Sequence, residues 1–199
     1  MLRLRHSREG QEPPAETVLD SSLRWNDGNG RNVGSGGPID IKLWSVEPMP
    51  RFEPRDPDYE AKVRESFGRQ TAMRTLGAVV GKVEPGEVEI EMPYRADLAQ
   101  QHGFIHGGFV TAIVDSACGY AALSLSAPDT AILTVEYKVN FLAPAKGERL
   151  VAKGQVVRPG ATVTVCKGNV LAYQDGEEKL VATMLTTLML MPNRPDLAG

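Results

Sequence analysis

The chain is 199 residues long, with a formal net charge of −3 at pH 7, 42% hydrophobic and 24% charged residues. That length gives one domain of ordinary size with room for an appendage. The mild acidity excludes bulk attraction to nucleic acid or to an anionic membrane, so an anionic ligand would need a local basic patch.

Residues 1–48 read as a flexible N-terminal extension. The stretch RWNDGNGRNVGSGGP is dense in Gly and Asn and sustains neither helix nor strand periodicity. The first 16 residues, MLRLRHSREGQEPPAE, contain no apolar run of the secretory kind. At Met49 the composition changes, so the folded domain is expected to span 49–199, with Met49 the natural start. The two cysteines, Cys118 and Cys166, lie outside any CxxC spacing among small or apolar neighbours. They are expected to be buried free thiols in a reducing, cytoplasmic compartment.

A helix is expected from Pro57, with Asp56 as N-cap, Pro57 in the first helical position and Gly77 as terminator. Val63, Phe67, Gln70 and Arg74 follow at helical spacing. Residues 77–94, GAVVGKVEPGEVEIEMPY, predict two strands about a Pro85-Gly86 turn. Val88, Ile90 and Met92 alternate with Glu87, Glu89 and Glu91, which gives one buried and one wet face.

The run from Gly107 to Ala127 is long enough to span a bilayer. However, Asp115, Ser116, Ser124, Ser126 and the leading Gly107-Gly108 pair favour a helix buried inside a globular domain, with no membrane partner. The first N–H groups of a helix lack intrahelical partners and carry partial positive charge. Glycine also lets a ligand approach the backbone closely, so Gly107 and Gly108 can receive a developing oxyanion. Asp115 lies two turns further on, flanked by Thr111, Ala112 and Gly119. Desolvation there should raise its pKa, which marks it as a functional candidate. His102 and His106 share a zinc-like spacing, but HExxH needs a continuous helix and a glutamate, and this segment has glycines instead. A metal-free site follows, with His106 anchoring the loop or contacting substrate.

Four strands are expected next, with turns at Ala145-Lys146-Gly147, Arg158-Pro159-Gly160 and Asp175-Gly176. In the first, Val135, Tyr137, Val139 and Phe141 alternate with Thr134, Glu136, Lys138 and Asn140. That alternation puts Thr134 on one face with the other three polar residues. A meander of long antiparallel strands results. The fold class is α+β: one strongly curved antiparallel sheet wrapped around a single long helix.

Two segments, HGGFVTAIVDSACGYAAL (106–123) and TVEYKVNFLAPAKGERLVAKGQVVRPGATVTVCKGNV (134–170), carry a family resemblance. Over roughly residues 57–191 the chain resembles the hotdog-fold thioesterases of the PaaI-like, phenylacetic acid degradation type. The resemblance implies a hotdog fold and hydrolysis of acyl-coenzyme A thioesters. No cofactor is implied, since coenzyme A is part of the substrate. Sites form in pairs within a homodimer, and two dimers commonly make a homotetramer. By motif position Asp115 is the catalytic carboxylate, as base or nucleophile, the Gly108 amide is the oxyanion donor, and His106 shapes the carbonyl site. Gln100, followed by Gln101, stands where relatives often carry Asn. Thr134 matches a Ser/Thr that orients water. Coenzyme A phosphates imply a local basic patch from Lys138, Arg158 and Lys167, with Asn140 beside Lys138. The turn at Gly160, Ala161 and Thr162 would add backbone N–H groups. The competing readings are a hydratase or dehydratase of acyl thioesters, a non-catalytic acyl-CoA sensor, and a purely structural protein.

Overall fold

A computed structural model describes residues 52–194. The expected 1–48 extension and the Met49 start lie outside the described residues. The described elements run in the order α1 (Tyr59–Arg69), α2 (Thr71–Leu76), β1 (Val79–Glu84), β2 (Glu87–Pro93), α3 (Gly107–Ser124), β3 (Ala131–Phe141), β4 (Arg149–Arg158), β5 (Val163–Gln174) and β6 (Glu177–Met191). The six strands make one antiparallel sheet in the order β1-β2-β4-β5-β6-β3.

The helix and the strand order both depart from the sequence expectations. The helix expected from Pro57 to Gly77 is two helices, because Gln70 adopts extended backbone (φ −75, ψ 94) between them. Gly77 does terminate the second in the left-handed conformation, φ 68. Asp56 is not the N-cap; Asp58 holds that position. The Asp56 carboxylate instead accepts the Asp58 N–H at 3.0 Å and pairs with Lys62 at 2.9 Å. Lys62 also donates to the Ser126 carbonyl at 2.9 Å, tying α1 to the end of α3. The second correction concerns the strands. Only β4, β5 and β6 form a meander, since β3 crosses to the far edge and pairs with β6.

The Glu-apolar alternation in β2 folds as its pattern requires: Val88, Ile90 and Met92 are fully buried. The Pro85-Gly86 turn is held to the core by the buried Ser124 hydroxyl, which accepts the Gly86 N–H at 2.8 Å and donates to the Ala121 carbonyl at 2.7 Å. Cys118 and Cys166 are buried free thiols, and burial pushes Cys166 up to about 12. No helix among the described residues is long and apolar enough to cross a membrane.

Helix α3 lies on the sheet mainly against β4, β2 and β5. Val110, Ile113, Val114, Ala117, Cys118 and Ala121 are buried along it. Two strand glycines permit this approach. A Cβ at Gly154 of β4 would strike the Ala117 backbone, and one at Gly168 of β5 would strike the Val114 side chain. Backbone cannot yield as a side-chain tip can. Gly154→Ala should therefore lower unfolding stability by about 1–3 kcal/mol in urea titration. Gly68→Ala, in α1 with open space around its Cβ position, should raise it by roughly 0.5–1 kcal/mol.

Candidate active site

Asp115 is partly buried on the flank of α3 that faces β3. Its Oδ1 accepts a hydrogen bond from Thr134 Oγ1 at 2.9 Å. Burial holds its pKa above the usual aspartate value, and the Thr134 hydroxyl opposes that shift. The carboxylate opens on a cavity of about 180 Å³ whose lining includes Gln70, Ser116, Tyr120 and Thr134.

The Asp115–Thr134 contact depends on a β-bulge. Thr134 pairs with Leu188, while Glu136 pairs with the adjacent Thr187, so β3 carries one extra residue there. Thr134 shares the inner face with buried Leu188. Glu136, Lys138 and Asn140 pair with Thr187, Leu185 and Thr183 on the outer face. The expectation that Thr134 shares a face with those three is thus corrected, and Lys138 and Asn140 lie on the side of the sheet away from Asp115. Thr187 Oγ1 fixes the outer position of Glu136 through a 2.6 Å bond to its carboxylate.

Helix α3 begins where the glycine pair predicts. His106 is its N-cap, and its Nδ1 accepts the Gly108 N–H at 3.0 Å. The donor expected for an oxyanion is therefore engaged by the histidine beside it. Gly107 packs beneath the Phe141 ring, where a Cβ would come within 2.9 Å. Gln100 and Gln101 sit in the exposed loop before the helix. The Gln100 backbone closes that loop on Phe104 and Gly103, and the Gln101 amide lies 3.3 Å from His102 Nε2.

These residues fall into two groups. Gln100, Gln101, His106, Gly107 and Gly108 surround the start of α3, whereas Asp115 and Thr134 lie further along it. Seven residues separate Gly108 from Asp115, about 10 Å of helix rise. One carbonyl cannot meet both within a single chain.

The turn after Arg158 forms a third place. Gly160 N–H donates to Thr164 Oγ1 at 3.3 Å, and the Thr162 carbonyl accepts from Leu190. Pro159, Gly160 and Ala161 line a cavity of about 310 Å³ with Phe52, Glu53, Arg55 and Leu125 at the far end of α3. Arg55 was not singled out from the sequence. It lies in an irregular charged stretch, and only the packing of Phe52 over the Gly86 turn brings it near Gly160.

The comparisons agree with this architecture. Residues 102–179 match the model of the Thioesterase superfamily. A thioesterase family protein from Silicibacter pomeroyi is 53% identical, with a TM-score of 0.67 over 68% of this chain and 99% of that one. A Saccharolobus solfataricus protein with a provisional esterase name is 33% identical over 108 residues, 54% of this chain and 74% of its own length. The E. coli PaaI protein from the phenylacetic acid degradation operon shares the fold at 20% identity. Its TM-score is 0.62 over 69% of this chain and 96% of that one. The chain belongs to the Thioesterase superfamily and has its hotdog fold. It is a thioester hydrolase.

The raised Asp115 pKa has a signed consequence for stability. An acid whose pKa is higher folded than unfolded contributes stability that is complete below the unfolded value. That contribution is lost as pH rises through the folded value. Asp115→Asn keeps a polar partner for Thr134 without the charge. Its melting temperature should exceed wild type near pH 7, and the difference should vanish near pH 3. A wild-type advantage at pH 7 in calorimetry would contradict the assignment.

Proposed function

We propose that the protein hydrolyses acyl-coenzyme A thioesters at sites completed by a second copy of the chain, with Asp115 as general base or nucleophile. The observation that carries this reading is the partly buried Asp115 carboxylate, its pKa raised and its orientation fixed by Thr134 over an open cavity. A carboxylate held in this way can take a proton from water at neutral pH or attack a thioester carbonyl itself.

The separation along α3 supports a division of the remaining roles between two copies. Asp115 and Thr134 of one copy work opposite Gly108, His106 and the Gln100-Gln101 loop of another. The Gly108 N–H receives the oxyanion once His106 releases it, and a single well-placed donor contributes about 10²–10³ in rate. The glutamine amides lie in reach of the same end and can orient water. Coenzyme A phosphates would be held by Arg158, Arg55 and the amides of the Gly160-Ala161-Thr162 turn. Lys138 and Asn140 would meet the nucleotide only from the outer face. The reaction calls for no metal or cofactor.

Association is supported by the free edge of the sheet. Strand β3 is terminal in the strand order and exposes Leu133, Val135, Tyr137 and Phe141, each about half accessible. An uncovered apolar edge strand is a template for pairing with another chain. Homodimers through β3, and tetramers built from them, would cover it. A cytoplasmic location is part of the same reading.

Two measurements test the proposal. Asp115→Ala should lower kcat for coenzyme A release by at least about 10²-fold with much less change in KM. Wild-type turnover by that variant would sink the assignment. Gly108→Pro removes the amide proton in the first helical turn, where proline is tolerated. It should be similarly impaired. Coexpressed with Asp115→Ala, it should regain activity, because one site of each mixed dimer then has both groups intact. No recovery in a mixed dimer isolated with two different tags would place both groups in one subunit's site.

A further inference from the structure

The cavity beside Asp115 runs along α3 towards Leu123, with β3 on one side and the α1–α2 junction on the other. At about 180 Å³ it is small against the roughly 300–1,000 Å³ of pockets for drug-sized ligands. A cavity of this size suits a short acyl chain. Its wall at the α1–α2 junction is polar. Ser66 Oγ of α1 faces the Tyr120 hydroxyl at 3.5 Å. Gln70 Oε1 faces Ser116 Oγ, also at 3.5 Å.

Both separations are far longer than the roughly 2.7–2.8 Å of a good O–H···O bond. Each pair therefore keeps hydrogen-bonding capacity that a third group can use. Burial keeps the Tyr120 phenol protonated, so it remains a donor at neutral pH. Ser66 and Tyr120 are both under a tenth exposed. An alkyl terminus pressed against this wall would strip water from four polar groups and return nothing. A hydroxyl would take up that bonding capacity. The break between the helices serves the same wall: with extended backbone at Gln70, its amide lies among the cavity-lining groups.

Resting on the thioesterase reading, we propose that Ser66, Gln70, Ser116 and Tyr120 form an end wall that selects short acyl thioesters bearing a hydroxyl at the far end of the chain. The experiment compares 6-hydroxyhexanoyl-CoA with heptanoyl-CoA, which has the same number of chain atoms but ends in a methyl group. Coenzyme A release is followed for the full-length wild type, Tyr120→Phe and Gln70→Leu, with thermal melts to verify folding. The wild type should favour the hydroxylated chain by about tenfold in kcat/KM, equivalent to ~1.4 kcal/mol. The ratio should fall towards one in both variants. Turnover of both substrates by the wild type with no preference would overturn the end wall and leave hydrolysis standing. A preference that survives both substitutions would do the same. Absence of turnover with either substrate would overturn the wall and the acyl-CoA reading together.

Discussion

The close seating of α3 on the sheet is the constraint on which the rest depends. It exists because Gly154 and Gly168 leave space where any side chain would meet Ala117, Val114 or Cys118. Once those contacts fix the rotation of the helix, its other positions follow from the 100° step between residues. Val114 and Ala117 point into the sheet, and Asp115, one step on, emerges at the flank. A different depth or rotation would either drown the carboxylate in the core or leave it in solvent, where its pKa would not rise. The reactivity proposed for Asp115 is thus set by two glycines on strands β4 and β5, neither of which touches it.

The second fixed point is the bulge in β3. A regular strand would have put Thr134 on the outer face with Glu136, Lys138 and Asn140. One extra residue turns it inward to meet Asp115. This single hydroxyl opposes the desolvation that burial imposes, so the carboxylate is raised in pKa while remaining ionisable. The Thr186 and Thr187 hydroxyls bind Glu136 on the far side of the bulge and hold the distortion in place.

What could be read from sequence divides along these lines. The α+β class, the buried central helix, its start at Gly107 and the wet and dry faces of β2 were legible, because each depends on local periodicity or turn chemistry. Asp115 stood out because a lone carboxylate in an apolar helix is costly. The bulge was not legible, since one extra residue in an alternating strand leaves the alternation intact on both sides. The pairing of β3 with β6 was hidden for another reason: partner choice between distant strands has no local signature. The break at Gln70 was equally silent. Gln is an ordinary helix residue, and its contact with Ser116 of α3 joins residues far apart in the chain. The engagement of the Gly108 amide by His106 needed the side-chain geometry itself.

Strand β3 joins the site to association. It is the strand that brings Thr134 to Asp115, and it is also one of the two edge strands among the described residues. On its inner face beyond Thr134, Tyr137 and Phe141 are about half exposed although their partners Thr186 and Ala182 are buried. Phe141 in turn lies over Gly107 at the start of α3. A second copy covering β3 would therefore press on both groups of candidate residues, Thr134 at one end and the Gly107–Phe141 contact at the other. Water exclusion around Asp115 would increase in the same step. Because the desolvated carboxylate owes its raised pKa to burial, covering this edge would strengthen the property on which the role proposed for Asp115 rests. A chain built this way need not carry a finished site alone, and the roughly 10 Å between its own Gly108 amide and its own carboxylate is then the spacing of the two half-sites proposed.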